Sequence, residues 1–288
     1  MTNYTKNNIG ITIKDYSVSR EEFTLVENLS YGYLETHPQP SEKTLPSYYE
    51  SVDYISHTDG RRNYFEKVYA AVRKYTIKRK LKLIEKYASN YKNLLDIGCG
   101  TGDFLSAAKA NGWVVAGIEP NEGAREMANK KTDGAVLGGD RFWSLENNKY
   151  DVITLWHVLE HLPNLEAYTQ KLKGVLKEDG VLIVAVPNYK SFDATFYNKF
   201  WAAYDVPRHL WHFNRMSISK LFATVSLKVI AEKPMWFDAF YVSMLSEKNK
   251  SKKMNLLKSF FVACYSNVKA IFTKEASSII FILKIEKL

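Results

Sequence analysis

The sequence predicts an α/β fold in which helices cover both faces of a mostly parallel sheet. Between residues 93 and 186, short apolar runs of strand length alternate with amphipathic runs of helix length, the order that builds a parallel sheet. The first strand also ends in a glycine-rich turn, LLDIGCGTGDF over residues 94–104, and open parallel sheets bind ligands at such turns. With 288 residues the chain can bury a sizeable core.

The elements of this core follow in chain order. Strand patterns cover 93–97, 113–118, 135–137, 151–156 and 181–186. Helical patterns cover 62–87, 102–110, 122–130 and the stretch that Pro163-Asn164 begins and Asp179-Gly180 ends. Asn121 has the side chain of a helix N-cap. The repeated strand–helix order places helices on both faces of the sheet.

The flanking segments are less regular. Residues 1–60 predict a polar, aromatic and irregular N-terminal extension, and residues 188–214 a long aromatic loop, which at this length usually lines a binding site. The remaining patterns are a helix over 217–226, a strand over 227–233, an amphipathic segment over 254–272 and a strand over 278–285. We therefore divide the chain into an extension, 1–60, and a domain, 61–288, with insertions at 188–215 and 246–273.

The composition is that of a soluble globular protein, with 46% hydrophobic and 25% charged residues. The two cysteines, Cys99 and Cys264, exclude a disulfide framework and a Cys-x-x-Cys metal site. The N-terminus lacks the basic and apolar regions of a secretory signal, and no apolar run is long enough to span a bilayer. We therefore expect a cytoplasmic protein.

The formal net charge of +9 indicates an anionic partner. Basic residues concentrate in 61–92 and 248–258. The first segment has the apolar stripe of an ordinary amphipathic helix, which favours a solvated face over a phosphate-binding track. The second adjoins an apolar stretch. Weak contact of 252–272 with a membrane surface is therefore an alternative to a lid or core helix.

Three nucleotide ligands compete for the glycine turn. A Walker loop requires G-x-x-x-x-G-K-[ST], which the sequence lacks. A dinucleotide fingerprint requires G-x-G-x-x-G, but Asp103 stands at the third glycine, and Asp96 and Asp103 would weaken the attraction for a pyrophosphate. S-adenosylmethionine carries no phosphate. It has a sulfonium and an ammonium group, so both carboxylates favour it.

The next strand ends in G-I-E-P, residues 117–120. Glu119 is thus predicted to lie beside the glycine turn, where a carboxylate can accept hydrogen bonds from both ribose hydroxyl groups; a helix N-terminal acid is the alternative. D-I-G-C-G-T-G followed by G-I-E-P resembles the class I S-adenosylmethionine-dependent methyltransferases. The resemblance extends over about residues 90–190.

This resemblance implies a Rossmann-like sheet of seven strands whose last strand, here 278–285, is antiparallel. It also implies S-adenosyl-L-methionine as cofactor and S-adenosyl-L-homocysteine as its product. The family's cofactor contacts lie at the glycine turn and at the ends of the following strands. Carried over to this sequence, they are Asp96, Gly98, Cys99, Gly100, Gly102, Phe104, Glu119, Pro120, Asp140, Arg141, Trp156 and His157. Asp140 would accept from the adenine amino group, with Arg141 or Phe142 beside the ring; an ordinary turn acid is the alternative role for Asp140.

W-H-V-L-E-H, residues 156–161, follows the fourth strand. H-x-x-E-H occurs in inverted zinc peptidases, but Pro163 blocks the continuous helix which that chemistry needs. The segment is more similar to E-x-x-E-H, a divalent-metal pattern in the branch that includes ubiquinone-biosynthesis O-methyltransferases. His157 replaces the first glutamate, so we expect no metal. Capping of the loop is the alternative role for Glu160 and His161.

The string AYDVPRHLWHF, residues 203–213, is predicted to lie near the acceptor pocket. Arg208 can bind a carboxylate or phosphate, and a histidine can take a proton from a hydroxyl group. We therefore predict His209, His161, His212 and Arg208 as catalytic residues, with a structural role as the alternative for the histidines. Similar P-R-H-L strings occur in a subgroup of small-molecule methyltransferases.

The N-terminal extension resembles a small zinc module of a related branch. G-Y-L-E-T-H-P-Q-P, residues 32–40, is similar to the tail of that module, but Asn28 and Tyr31 stand where it has cysteines. We therefore expect no zinc there. Residues 54–57 are predicted to fold over the cofactor or acceptor as a lid.

Together these features predict transfer of a methyl group from S-adenosylmethionine to a small-molecule acceptor, at a hydroxyl group. The 188–214 loop and the 254–272 segment would close over the acceptor. One alternative is an RNA or protein methyltransferase that uses the basic 61–92 tract, although nucleic acid is the less favoured partner. Another is a scaffold that binds the cofactor without turnover.

Overall fold

The computed structural model describes residues 10–41, 43–49, 64–88 and 92–286. The strands in these ranges are β1 (Ile11–Lys14), β2 (Glu22–Glu27), β3 (Leu34–His37), β4 (Asn93–Ile97), β5 (Val114–Ile118), β6 (Val136–Leu137), β7 (Tyr150–Trp156), β8 (Leu176–Pro187), β9 (Trp211–His212), β10 (Leu227–Pro234) and β11 (Ser278–Ile285). The α-helices are α1 (Tyr64–Tyr87), α2 (Asp103–Ala110), α3 (Glu122–Thr132), α4 (Leu165–Val175), α5 (Phe192–Tyr197), α6 (Arg215–Ala223), α7 (Asp238–Ser251) and α8 (Leu256–Thr273).

The main sheet has seven strands in the order β10-β11-β8-β7-β4-β5-β6. The strands from β8 to β6 in this order run parallel, and β11 runs antiparallel to both of its neighbours. The predicted Rossmann-like sheet is therefore confirmed. Asp96 of β4 stands level with Gly117 of β5 and Thr154 of β7, so the carboxyl ends of these strands form one edge.

The core strands are buried on both faces. Every residue from Val181 to Val186 in β8 is at most 1% exposed, as expected for a parallel strand covered by helices on both sides. The helices begin at polar caps. The side chain of Asn121 accepts from Ala124 N, and that of Asn164 accepts from Ala167 N.

The end of α4 differs from the prediction. The helix ends at Val175, and β8 already begins at Leu176. Leu176 pairs with Tyr150 and Val181 with Val152, with a register shift between the two pairs. Residues 177–180 therefore form an irregularity within β8, because Leu176 before them and Val181 after them both pair with β7.

The predicted irregularity of the N-terminal extension is wrong. Strands β1, β2 and β3 form an antiparallel sheet, and β9 adds a fourth strand. Each turn is held by one polar side chain. Asp15 accepts from the backbone N–H groups of residues 17–19, and Asn28 accepts from those of residues 30 and 31 and donates to Glu35. The lid predicted at 54–57 lies outside the described residues.

The 188–214 segment is not an open loop. It contains α5, two short 3-10 turns and β9, and four of its aromatic side chains, Tyr197, Trp201, Tyr204 and Phe213, are buried, whereas Phe196 is 39% exposed. Tyr197, Trp201 and Tyr204 share a core cluster with the N-terminal sheet and with Val262 of α8. These aromatics therefore join the N-terminal sheet to the domain and do not line an open pocket.

Two helices, α7 and α8, cover the predicted insertion at 246–273, and α7 begins before it. Helix α7 was missed because it buries only Ala239, Ser243, Ser246 and Glu247, small or polar residues that leave no apolar periodicity. Helix α8 lies where the amphipathic segment was predicted. Among the described residues, no helix combines the length and apolar character needed to cross a bilayer.

Candidate active site

The glycine turn follows β4, and its three glycines all have positive φ angles. A Cβ on Gly98 would lie 2.5 Å from Val158 Cγ2, and one on Gly102 would lie 2.8 Å from Ala128 Cα. A Cβ on Gly100 would meet no described atom within 4 Å. Gly98 and Gly102 thus permit close packing, whereas Gly100 leaves exposed backbone beside open space.

Glu119 holds this turn from the end of β5. Its Oε2 accepts from Gly100 N at 2.8 Å, and its Oε1 accepts from Asn121 N at 2.9 Å. A carboxylate oxygen has two lone pairs, so each oxygen can still accept a second hydrogen bond.

Asp96 is buried at the end of β4. Thr154 Oγ1 donates to its Oδ1 at 2.6 Å. Burial raises the pKa of Asp96 to about 7, although this hydrogen bond and the nearby Lys80 oppose the rise. A cation bound at this edge would favour the ionised carboxylate.

Lys80 of α1 was missed by the sequence analysis. Its Nζ lies 4.3 Å from the centroid of the Trp156 ring and 5.9 Å from that of Phe104, both predicted cofactor residues. Burial lowers the pKa of Lys80 to about 8, against the attraction of Asp96 and Asp238. The turn therefore faces a basic side chain as well as acids.

Asp103 does not act as sequence reasoning assumed. Its carboxylate is paired with Arg73 of α1 and with Lys131 Nζ, the latter at 2.7 Å. It is therefore not a free acid at the turn, and only Asp96 and Glu119 keep the predicted negative character there. Arg73 and Lys80 share one face of α1, since they stand seven residues apart.

The remaining predicted cofactor residues lie around the same edge. Cys99 is half-buried, and burial raises the pKa of its thiol. Pro120 lies beside Gly139, where a Cβ would meet Pro120 Cβ at 3.3 Å. Asp140 and Arg141 follow in a 3-10 turn with exposed side chains.

His157 follows β7 in a left-handed conformation, with φ of 57°. Its Nε2 lies 3.0 Å from Asp238 Oδ2, and its Nδ1 lies 3.4 Å from Glu160 Oε1. Burial lowers the pKa of His157, but these two carboxylates outweigh it and raise the pKa to about 10. His157 is therefore an imidazolium between two acids.

His161 and His209 lie together, with ring centroids 4.6 Å apart. His161 Nδ1 lies 3.0 Å from Arg208 O, and His209 Nδ1 lies 2.9 Å from Ala203 O. A carbonyl oxygen only accepts, so the Nδ1 that faces it donates, and Nε2 is left as the acceptor of a neutral ring. Tyr49 Oη lies 3.0 Å from the same Nδ1 of His161. Burial and the nearby His209 lower the pKa of His161 to about 4, which keeps it neutral at pH 7.

Glu160 completes this group. It is 1% exposed, and neither carboxylate oxygen has a hydrogen-bond partner of good geometry among the described residues. Glu160, His161 and His209 offer donor atoms that all lie within 4.8 Å of one another. We call these three residues the histidine group. Two imidazoles and a carboxylate can take a proton, and they are also ligands that bind divalent zinc or iron.

Arg208 and His212 have other partners. Arg208 donates to Asp205, Asp15 and the carbonyl of Tyr48. His212 Nε2 lies 3.0 Å from Thr36 Oγ1, and burial holds its pKa well below the ordinary value. Both side chains tie the N-terminal sheet to the 203–213 segment, and neither joins the histidine group.

A family model described as a methyltransferase domain matches residues 69–232, more than half of the chain. The chain belongs to the class I S-adenosylmethionine-dependent methyltransferases. Its matched region is 32% identical over 108 residues to a ubiquinone biosynthesis O-methyltransferase of Glaesserella parasuis, covering 34% of this chain and 46% of that protein. A protein of the same description from Coxiella burnetii is 26% identical over 132 residues, covering 43% and 56%. The chain spans about half the length of these relatives.

Solved structures support the fold of this methyltransferase. A SAM-dependent methyltransferase from Archaeoglobus fulgidus superposes with a TM-score of 0.50 at 17% identity, covering 77% of this chain and 100% of the other. A geranyl diphosphate C-methyltransferase from Streptomyces coelicolor, in complex with S-adenosyl-L-homocysteine, superposes with a TM-score of 0.55 at 14% identity, covering 85% and 97%.

The cofactor of this methyltransferase family is S-adenosyl-L-methionine, and the turn has the features to hold it. Open space beside Gly100 admits a ligand against the backbone. The free lone pairs of Glu119 suit ribose hydroxyl groups. Asp96 and Lys80 offer opposite charges to the ammonium and carboxylate of the methionine portion.

Proposed function

We propose that this methyltransferase methylates a hydroxyl group of a small-molecule acceptor that binds against the histidine group. The observation that carries the proposal is that His161 and His209 turn Nδ1 toward backbone carbonyls, which leaves Nε2 of each ring as the acceptor beside the buried carboxylate of Glu160. Val158 joins this group to the cofactor turn, because its side chain fills the space above Gly98. The ubiquinone biosynthesis O-methyltransferases among its relatives support the same type of acceptor.

The cofactor would be held by the turn. Backbone at Gly100, the carboxylate of Glu119, and the charges of Asp96 and Lys80 are the groups that we assign to it. When bound, S-adenosylmethionine supplies an electrophilic methyl group and leaves as neutral S-adenosylhomocysteine. The protein's own contribution is to align the acceptor oxygen with that methyl group and to exclude water.

The histidine group would receive the proton. As the new oxygen–methyl bond forms, the acceptor hydroxyl loses its proton to Nε2 of His209 or His161, and the oxygen keeps the electron pair that makes the bond. Glu160 stabilises the resulting imidazolium through its negative charge. His157 holds Glu160 by its own charge from the other side, at 3.4 Å.

A divalent cation at the histidine group would act differently. Its ligands would be Glu160, His161 and His209, and it would lower the pKa of a bound hydroxyl group. It would also occupy the lone pairs that proton transfer needs. One nitrogen therefore cannot act as base and metal ligand at once.

The RNA alternative is weakened by α1. Arg73 pairs with Asp103, and Lys80 lies against Trp156, so two basic residues of the 61–92 tract face the cofactor turn. They are less available to a phosphate backbone. The scaffold alternative predicts cofactor binding without any methylated product.

The test is transfer of an isotope-labelled methyl group from S-adenosylmethionine to phenol and catechol acceptors, and to RNA, in parallel. We expect label in a small-molecule O-methyl group, identified by mass spectrometry and NMR. In Glu119→Gln we expect weaker binding of S-adenosylhomocysteine, with Glu126→Gln, an exposed acid of α3, as the matched control. Label only in RNA, or cofactor binding without labelled product, would contradict the proposal.

A further inference from the structure

Helix α8 exposes its large apolar side chains and buries its small ones. Leu257, Phe261 and Phe272 are 74%, 67% and 81% exposed. The buried face consists of Ser259, Val262, Ala263, Ser266 and Ala270. A helix packed only against its own domain shows the opposite arrangement.

The exposed residues form one stripe. Leu257, Phe261, Val268 and Phe272 recur at intervals of four, seven and four residues, so they share a face of α8 over its whole length. Each is more than half exposed. We call this stripe the α8 face. A contiguous apolar patch with a charged border marks a surface that contacts another partner.

The border of the α8 face is basic. Residues 238–274 contain seven lysines but only two acids, Asp238 and Glu247. Both acids are engaged, since Asp238 pairs with His157 and the buried Glu247 pairs with Lys258 at 2.9 Å. Lys252 and Lys253 are exposed at the turn before α8. The free charge beside the apolar stripe is therefore positive.

We propose that the α8 face binds the surface of an anionic lipid bilayer. Apolar side chains of an interfacial helix enter the boundary between headgroups and acyl chains, while lysines beside them attract anionic headgroups. A second copy of the chain would bring lysines against lysines, and the aliphatic Leu257 and Val268 of the stripe give RNA bases no ring to stack on. The proposal goes beyond methyl transfer and does not rest on it.

The surface is linked to the active site by α7. That helix begins at Asp238, which pairs with His157 beside the histidine group, and it ends at the lysines that precede α8. Phe237, just before α7, packs against Tyr75 of α1. The consecutive helices α7 and α8 therefore connect the two sites: α7 borders the active site, and α8 would contact the bilayer.

The experiment is flotation of the full chain with vesicles of phosphatidylcholine, with and without phosphatidylglycerol. We expect wild type to float with the anionic vesicles and to stay behind with the neutral ones. The double variant Leu257→Glu/Phe261→Glu should reduce the bound fraction at least about tenfold, since it removes apolar insertion and adds repulsion. Lys252→Glu/Lys253→Glu should weaken binding and its dependence on salt.

Leu29→Glu is the matched control, because Leu29 is 68% exposed in the turn between β2 and β3. It should float like wild type. All variants should keep the unfolding midpoint and the S-adenosylhomocysteine affinity of wild type, because the altered side chains are exposed. Wild type that fails to float, or a Leu257→Glu/Phe261→Glu variant that floats equally well, would overturn the proposal. The proposal would also be overturned if wild type formed a dimer and did not bind vesicles, and if the Leu257→Glu/Phe261→Glu variant were monomeric.

Discussion

The cofactor turn and the histidine group are neighbours, but they are built in different ways. The turn is formed by backbone: three glycines with positive φ, held by one hydrogen bond from Gly100 N to Glu119 at the end of the next strand. The histidine group consists of side chains from two segments, and His209 reaches it because Ala203 O fixes its ring. A local motif makes the first, and tertiary packing makes the second.

This difference separates what each region can contribute. We expect a backbone turn with one carboxylate to bind a common cofactor, whereas a group positioned by the N-terminal sheet can differ between relatives with similar turns. Arg208 shows the dependence, since it joins the 203–213 segment to Asp15, 193 residues away along the chain. The stretch shared with one curated relative covers 34% of this chain, which is less than the 193-residue separation of this contact.

The largest expected effect is at His209. His209→Gln removes the Nε2 lone pair while its amide can still donate to Ala203 O. We expect kcat to fall about a hundredfold or more, the usual contribution of a general base, with S-adenosylhomocysteine affinity unchanged. Steady-state kinetics with the acceptor found by label transfer, and calorimetric titration, measure the two quantities.

His37→Gln provides the control, since His37 lies on the N-terminal sheet and contacts Glu35 at 3.1 Å. It should retain full turnover. Wild-type turnover in His209→Gln would exclude His209 as the base. Loss of wild-type activity on chelation, restored by added zinc, would instead assign the histidine group to a metal.

The second prediction breaks the turn alone. Gly100→Ala places a methyl group in the open space beside the backbone, so we expect S-adenosylhomocysteine affinity to fall at least about tenfold. Gly112→Ala is closely matched. Gly112 also has positive φ, and a Cβ there would also meet no described atom within 4 Å. Both variants should lose about 1 kcal/mol of stability, because a side chain disfavours this conformation.

Calorimetry and thermal unfolding of the two variants separate strain from ligand contact. Equal affinity losses in Gly100→Ala and Gly112→Ala would mean that strain alone explains the effect. Turnover at saturating cofactor should survive in Gly100→Ala, in contrast to His209→Gln. The cofactor turn would then be identified by its effect on cofactor affinity, and the histidine group by its effect on turnover.

The sequence predicts the turn well because its determinants are adjacent in the chain. Gly98, Gly100 and Gly102 follow a strand that is recognisable from its apolar run, and Glu119 ends the next one. The pairing of Asp103 with Arg73 escaped prediction, since no local pattern says which residues of α1 face the turn. Lys80 was missed for the same reason.

The histidine group was predicted less well because its geometry depends on distant contacts. His161 and His209 were identified by residue type, but Arg208 and His212 were grouped with them although both bind the N-terminal sheet. That sheet was missed because its strands are four to six residues long and lie between polar turns. Short strands become stable only through packing, here against the aromatics of 197–204.

The smallest expected effect concerns two histidines four residues apart whose pKa values shift in opposite directions. The carboxylates of Asp238 and Glu160 raise the pKa of His157 to about 10, and burial lowers that of His161 to about 4. The side-chain NMR signals of His157 should therefore report a charged ring across neutral pH, and those of His161 a neutral one. Asp238→Asn should lower the pKa of His157 and leave that of His161 unchanged.

The same shifts set the pH dependence of stability, with opposite signs. A raised pKa means that the stabilisation from His157 is complete below its ordinary value of 6.5 and is lost as the pH rises through about 10. The lowered pKa of His161 means that the folded state loses stability as the pH falls from 6.5 towards 4, since the unfolded chain takes up that proton first. Asp238→Asn should reduce the loss of unfolding free energy at alkaline pH. His161→Gln should reduce the loss of unfolding free energy at acidic pH. If both variants changed stability in the same pH range, the two rings would share one charge environment, and the separation between the His157 ion pair and the neutral His161 would fail.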